Sequence, residues 1–361
     1  MKQGWTYKKL NEVCDKGSSN IVINKLEDNN GEYPLFGASG LVKNVDFYHQ
    51  DKPYIGIVKD GAGVGRVNTY PAFSSLVGTM QYIFAKENCL LDFIKYFLIK
   101  LDLSHCVSGA TIPHIYFKDY GKERIPVPSI EVQKSIVAEL DKINELISLK
   151  KAQLRNFDNL AQSIFYEMFG DPIENEKGWE VKTLDEVGEI ISGSTPSTND
   201  TENWNGDINW VTPAELGEQL YYGETVRKLT EKGAKGLTMM PVGTVLLSSR
   251  APIGKLAITK VPMCCNQGFK NIICNSSINN IFLYYYLLQT IEHVKALGRG
   301  ATFKEVSKSS LSSYQIITPP IELQQCFATR ILSIEQQKII VNSSIKELET
   351  LLASRMQYWF E

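Results

Sequence analysis

Residues 4–13 and 178–187 spell nearly the same segment, and that repetition constrains the fold more than any other feature of the chain. Gly4-Trp5-Thr6-Tyr7-Lys8-Lys9-Leu10-Asn11-Glu12-Val13 aligns with Gly178-Trp179-Glu180-Val181-Lys182-Thr183-Leu184-Asp185-Glu186-Val187 with six identities in ten, at an offset of 174. The match continues downstream. Ala62-Gly63-Val64-Gly65-Arg66 aligns with Ala251-Pro252-Ile253-Gly254-Lys255, and Phe93 to Leu98 with Phe282 to Leu287, at an offset of 189. Gly109-Ala110-Thr111 then aligns with Gly300-Ala301-Thr302, and Ile130-Glu131-Val132-Gln133 with Ile321-Glu322-Leu323-Gln324, at 191. A chain that repeats on this scale is two copies of one structural unit. The second copy carries about 15 additional residues ahead of Ala251.

Each copy has a globular part followed by a long helix. Pro126-Val127-Pro128 and Pro319-Pro320 mark the junctions, because proline cannot continue a helix but can precede one. After the first junction, apolar residues fall at Ile136, Leu140, Ile143, Ile147, Leu154, Phe157, Ala161, Ile164 and Met168, broken only by Lys150. After the second they fall at Phe327, Ile331, Ile334, Val341, Ile345, Leu348, Leu352 and Trp359, with Lys338 and Arg355 as polar breaks. This spacing is a coiled-coil seam, and each seam's nearest candidate partner is the other. Helices of roughly 35 to 40 residues would run about 55 Å at 1.5 Å per residue. Gly170-Asp171-Pro172 stops the first, and Phe360 aligns with Phe169. In the globular parts, short apolar runs (Tyr54 to Val58, Val245 to Leu247, Leu256 to Ile258) alternate with Gly, Asn and Pro turns, which predicts an α+β fold with a curved antiparallel or mixed sheet. Helices are expected over Asp92 to Leu101 and over Asn279 to Leu297, and Gly61-Ala62-Gly63-Val64-Gly65 reads as a tight turn between strands.

Catalytic constellations are missing from the sequence. Gly254-Lys255 lacks the rest of a phosphate-binding loop, and the glycines of 61–65 are not spaced as a dinucleotide fingerprint. Neither Thr318-Pro319-Pro320-Ile321 nor Asp171-Pro172-Ile173 completes the Asn/Asp-Pro-Pro-aromatic tetrapeptide expected of an amino-methyltransferase. The four histidines include no pair at metal-ligand spacing, and seven scattered cysteines without a CxxC read as reduced thiols. With no signal-peptide pattern and no apolar run near the 18 or so residues of a membrane span, the expectation is a cytoplasmic protein without a membrane partner. The net charge of −2 offers no global attraction to polyanions. Any nucleic-acid contact must therefore be local.

One such patch stands out. Between Glu224 and Lys270 lie Arg227, Lys228, Lys232, Lys235, Arg250, Lys255, Lys260 and Lys270 against only Glu224 and Glu231. The stretch overlaps Ser248-Ser249-Arg250 and Asn266-Gln267-Gly268, groups suited to hydrogen bonds with base edges. The first copy has Lys59-Asp60-Gly61-Ala62, Arg66 and Gly78-Thr79-Met80-Gln81 in the corresponding places. A shared frame with different polar groups is what two readers of different sequences require.

The order of globular repeat, Pro128-Ser129-Ile130-Glu131-Val132-Gln133, long helix and Met168-Phe169-Gly170-Asp171-Pro172 resembles the specificity subunit of type I restriction-modification systems. So does Ser192-Gly193-Ser194-Thr195-Pro196-Ser197 followed by Trp204, Ile208 and Trp210-Val211-Thr212-Pro213. The first copy lacks these last motifs and carries instead Tyr33-Pro34-Leu35-Phe36-Gly37-Ala38-Ser39-Gly40, itself similar to a variant of such domains. The resemblance implies two target recognition domains (1–128 and 171–319) with mixed or antiparallel sheets, separated by two long antiparallel coiled-coil spacer helices (129–170 and 320–361) in a pseudo-twofold arrangement. It implies a non-catalytic chain without its own cofactor that reads a bipartite duplex DNA target. Two partner methyltransferase subunits would hold S-adenosylmethionine and methylate adenine N6, and restriction motor-nuclease subunits would join the complete system. Individual base contacts do not follow from the resemblance. Chemistry and position nominate Lys59, Arg66, Gln81 and Thr111 in the first copy, and Ser194, Thr195, Thr212, Ser249, Arg250, Lys255, Gln267, Arg299 and Thr302 in the second. The helix interface is expected at Ile136, Leu140, Ile143, Ile147, Leu154, Ile334, Val341, Ile345 and Leu348. Two other readings remain open from the residues alone: a helical protein-interaction scaffold and a self-sufficient nucleic-acid-modifying enzyme.

Overall fold

The structure of the chain, a computed structural model, describes residues 4–109, 111–217, 219–298 and 305–361. It divides into two compact units, Met1–Lys151 with Ser343–Glu361, and Ala152–Asn342. In the first unit, Tyr54–Val58 is buried at every position, as a strand covered on both faces should be. It sits inside a four-stranded antiparallel sheet in the order Cys14–Ser18, Met80–Ala85, Tyr54–Val58, Val67–Tyr70. A mixed three-stranded sheet joins Gly40–Val45, Tyr33–Gly37 and Ser75–Leu76, the last pair parallel. Thr6–Lys9 pairs antiparallel with Arg124–Val127, fastening the start of the copy to the segment just ahead of the long helix. The glycines at 61, 63 and 65 all have φ between +86° and +89° and turn the chain between two sheet strands, a conformation an L side chain would strain.

The second unit repeats this plan. Gly188–Ser192, Lys270–Cys274, Val245–Leu247 and Leu256–Thr259 follow in the same order, and Tyr221–Tyr222 adds a fifth, parallel edge strand. Arg227–Leu229, Trp204–Val211 and Cys264–Cys265 form its three-stranded sheet, and Val181–Thr183 pairs with Gln315–Ile317. The helix expected over 279–297 is two helices, Asn280–Gln289 and Ile291–Ala296. Thr290 separates them at φ −104° and ψ +17°; it is buried, and its hydroxyl donates to the Tyr286 carbonyl (2.9 Å). In the first copy the corresponding helix is Leu91–Leu101.

Both long helices, Ile130–Phe169 and Ile321–Phe360, have 40 residues. A buried glutamine anchors the start of each. Gln133 accepts from the Leu90 amide (2.8 Å) and donates to the carbonyls of Asn88 (3.1 Å) and Pro128 (3.0 Å). Gln324 accepts from the Asn279 amide (2.8 Å) and donates to those of Ser277 (3.3 Å) and Pro319 (2.7 Å). The glutamine of the repeated Ile-Glu-x-Gln segment thus fixes the helix to the turn that precedes the domain's own helix. Within each unit the long helices run antiparallel. In the first, Glu139 pairs with Arg355 and Lys151 with Glu349; in the second, Asp158 pairs with Lys338. Ile136, Leu140, Ile143, Ile147, Ile334, Val341 and Ile345 are buried, with Leu154 and Leu348 half-buried. The polar breaks in the second seam are its ion-pair positions, since Lys338 also reaches Glu335 (2.8 Å).

Each unit closes its core on the end of a long helix. In the first, Phe360 packs on Phe93 and Phe97 (ring centroids 5.1 and 5.9 Å). In the second, Phe169 packs on Phe282 and Phe327 (4.8 and 5.3 Å). Trp5 stacks against Trp359 at 6.2 Å, and the Trp179 indole donates to the Phe169 carbonyl (2.8 Å).

Candidate nucleic-acid interface

In the second unit the loops that follow Ser192, follow Leu247 and precede Lys270 leave the same end of the five-stranded sheet, and they bond to one another and to the segment at Glu305 and Val306. Gly193 lets the first approach closely, since a Cβ there would lie 2.2 Å from the Cys265 carbonyl oxygen. Next to it the Ser194 amide donates to that same carbonyl (3.0 Å), the Trp210 indole donates to the Ser194 carbonyl (3.1 Å), and the Thr195 hydroxyl donates to Gln267. The Ser249 amide donates to the Gly268 carbonyl (2.8 Å), and the Val306 amide to the Ser249 carbonyl (3.0 Å). Ser194, Thr195, Arg250 and Gln267 are therefore brought together as exposed side chains on a cross-bonded backbone.

Other nominated residues have different work. Ser249 is fully buried, its hydroxyl 3.5 Å from the Lys270 ammonium. Lys255 is half-buried and donates from Nζ to the Leu216 carbonyl (2.7 Å), tying two loops of its own domain. Thr212 forms a capping box with Glu215, both its amide (2.9 Å) and its hydroxyl (2.8 Å) donating to the carboxylate. Arg299 and Thr302 lie outside the described residues.

The charge run also reads differently in three dimensions. Lys232 is paired with Asp200 (2.9 Å) and Glu202 (2.6 Å), Lys270 and Arg250 with Glu305, and Lys228 lies 3.9 Å from Glu224. Arg227 lies over the ring of Trp204 at 3.6 Å and near that of Trp210 at 5.3 Å, a cation–π arrangement. Acids distant in sequence fold back onto the basic stretch, so a count along the window overstates the exposed positive charge. Burial opposes ionisation of Glu305, but hydrogen bonds from Arg250 and Lys270 outweigh it and hold its carboxyl below the ordinary range.

In the first unit two of these bonds recur, joining Lys59 to Thr79 and Ile115 to Lys59. The amides of Lys59 and Asp60 donate to the Thr79 carbonyl (3.0 and 3.2 Å), and the Ile115 amide to the Lys59 carbonyl (2.9 Å). Arg66 and Thr111 are exposed, and Lys59 is half-buried with Nζ 3.7 Å from Asp60. Gln81 is buried and donates to the Tyr120 hydroxyl. The bridge from Lys59 to Ile115 is the one from Ser249 to Val306. It sets Asp60 opposite His114 in one copy and Arg250 opposite Glu305 in the other. Arg250 thus matches Asp60 in space, one residue away from the sequence alignment, which pairs it with Gly61. Sequence reasoning missed Glu305 because nothing in its neighbourhood marks it; only the offset of 191, which aligns it with His114, could have pointed there.

Among the described residues no cluster of three His, Cys, Asp or Glu side chains could hold a metal ion, and no helix is long and apolar enough to cross a membrane.

A family model described as the type I restriction modification DNA specificity domain matches residues 2–156 and again 176–350. The MjaIX specificity subunit, from a type I restriction enzyme of Methanocaldococcus jannaschii, is 41% identical over 191 residues, covering 51% of this chain and 44% of that protein. The EcoR124I/EcoR124II specificity subunit of Escherichia coli is 27% identical over 248 residues, 64% of this chain and 59% of its own length. The chain spans about half the length of these curated relatives. Among solved structures, the S subunit of a type I system from M. genitalium superposes with a TM-score of 0.60 at 16% identity, covering 99% of this chain and 96% of that one. A chain from a study of complex assembly and conformational transition in the type I R-M system gives 0.59 at 20% identity, covering 100% and 98%. At these identities the superpositions establish a shared fold.

Proposed function

Since the chain belongs to the type I restriction modification DNA specificity family, carrying its domain twice, we propose that it recognises a bipartite duplex DNA target and directs partner subunits to it. In this reading residues 1–128 and 171–319 each read one half of the target, and the helices of 129–170 and 320–361 set the separation between halves. Two methyltransferase subunits bind S-adenosylmethionine and methylate adenine N6, restriction subunits join the complete system in the cytoplasm, and this chain contributes recognition rather than chemistry. The scaffold and self-sufficient enzyme readings find no support in the family match. One observation carries the proposal: the two copies share two backbone bonds of the loop frame, Lys59 to Thr79 with Ile115 to Lys59 in one and Ser249 to Gly268 with Val306 to Ser249 in the other, while the side chains on that frame differ. Arg250, Gln267, Ser194 and Thr195 are the proposed contacts in one half, joined by Arg299 and Thr302; Lys59, Arg66 and Thr111 serve the other. The test is selection from a duplex library, with both halves and the spacer randomised, by this chain assembled with its methyltransferase partners. One split sequence should be enriched, with affinity falling steeply as salt rises because phosphate contacts release counterions. Even binding across the library would overturn the proposal.

A further inference from the structure

We infer that Glu305 is a positioning residue that aims Arg250 at a base edge, with Lys270 holding Glu305 in place; this rests on the recognition reading above. The Glu305 carboxylate is shared. One oxygen lies 3.2 Å from Lys270 Nζ and the other 3.0 Å from Arg250 Nε. Lys270 is nearly buried, at 9% side-chain exposure, and a buried ammonium requires a counter-ion. The Lys270–Glu305 pair is therefore a fixed structural element. Arg250, at 49% exposure, is held from it by one edge of its guanidinium. Among the described residues nothing is bonded to its terminal Nη atoms. An arginine held at Nε presents those two amines as a rigid fork, the geometry that matches O6 and N7 of guanine. Its backbone is equally fixed, through the bridge to Glu305 and the Ser249 bonds to Gly268 and Val306.

A merely stabilising ion pair explains less. Pairs at this level of exposure contribute little to stability, and the Lys270 charge is already satisfied without Arg250. The same backbone bridge in the first copy carries Asp60 and His114. The frame persists while the polarity at position 250 and its counterpart is inverted, which marks the bridge as a place where specificity is set.

The experiment uses the full chain with its methyltransferase partners and reads base preference, position by position, from the randomised duplex library. Arg250→Ala should reduce discrimination at one base pair of one half-site by about 5- to 150-fold. Glu305→Gln should reduce it at that same base pair, by about fivefold, the low end of that range. The Arg250→Ala/Glu305→Gln double variant should be no worse there than Arg250→Ala alone. Should Glu305→Gln fold poorly because Lys270 is left unpaired, Lys270→Met/Glu305→Gln removes both charges and should show the same loss at the same base pair. A purely structural role would instead lower affinity evenly and leave base preference intact. Unchanged preference in the Glu305 variants, or a loss at a base pair other than the Arg250 one, overturns the inference while leaving the recognition reading standing. A wild-type complex with no preferred sequence overturns both.

Discussion

The two copies of the repeat differ least where the chain is buried and most where the loops meet solvent. Gln133 and Gln324 make the same three hydrogen bonds to equivalent backbone groups, and Phe360 and Phe169 close the two cores on the equivalent Phe93 and Phe282. At the loop bridge the backbone is again shared, yet Asp60 and His114 stand where the other copy has Arg250 and Glu305. The contrast shows where each constraint comes from. Packing density and buried polar satisfaction allow few solutions and hold the frame constant. An exposed side chain on a firm backbone is free to change the ligand it suits without disturbing that frame.

If the frames are equivalent, truncating equivalent core residues should do equivalent harm. Phe360→Ala and Phe169→Ala should each destabilise their own unit by about 3–5 kcal/mol. Hydrogen exchange resolved by segment checks this, and a cost confined to one variant would show that the copies are held together differently. Gln133→Leu and Gln324→Leu should come next. Each strands one buried carbonyl, at a cost of about 1–3 kcal/mol, beside a part-buried amide and carbonyl that water can reach, so matched losses of urea stability are expected, with half-site preference unchanged.

The next prediction concerns connectivity. Trp5 stacks on Trp359 and Lys100 pairs with Glu361 (2.8 Å), so the two ends of the chain lie in one unit. A permutant opened between Glu174 and Lys177, with Glu361 joined to Met1 by a short linker, should keep its fold and target, as exposed junctions tolerate such cuts. By the same argument residues 1–172 lack the Met356 and Phe360 that cover their core. They should pair as a dimer in which each Phe165 and Phe169 serves the partner. A well-folded monomer in light scattering at micromolar concentration would count against equivalence of the helix ends.

The smallest effect is electrostatic. Hydrogen bonds from Arg355, and further from Trp359 (2.9 Å), hold the Glu139 carboxyl below its ordinary range against the opposing effect of burial. A carboxyl depressed by folding contributes stability above its unfolded pKa and loses it as pH falls through the folded one. Denaturant midpoints of the wild type and Glu139→Gln should therefore differ at neutral pH and converge in acid, below the usual carboxylate range. A difference that persisted there would assign the effect to packing.

The sequence made the architecture legible because repetition and period are global signals. The offsets located both copies and the heptad seam located both helices, while their antiparallel pairing was implied by the resemblance to the family. Local chemistry was less legible. Gln81 and Ser249 are polar residues on buried faces, satisfied by Tyr120 and Lys270 from other parts of the chain. The basic stretch seemed unopposed only because Asp200, Glu202 and Glu305 lie outside it in sequence. The helix over 279–297 is interrupted at Thr290 although its apolar periodicity runs straight through that position. For the buried polar residues and the basic stretch, long-range partners overrode the local pattern.

The central claim is that the copies read independently and the helices only space them. It is tested most directly by adding one helical turn, about four residues, to both helices, near Lys150 and near Ser344. Both must be lengthened, because Lys151 faces Glu349 and an insertion in one alone would slip the seam. Sequencing of the methylated sites in a host expressing this chain with its methyltransferase partners should then show a longer spacer between unchanged half-sites. An unchanged spacer with altered half-sites would contradict the account.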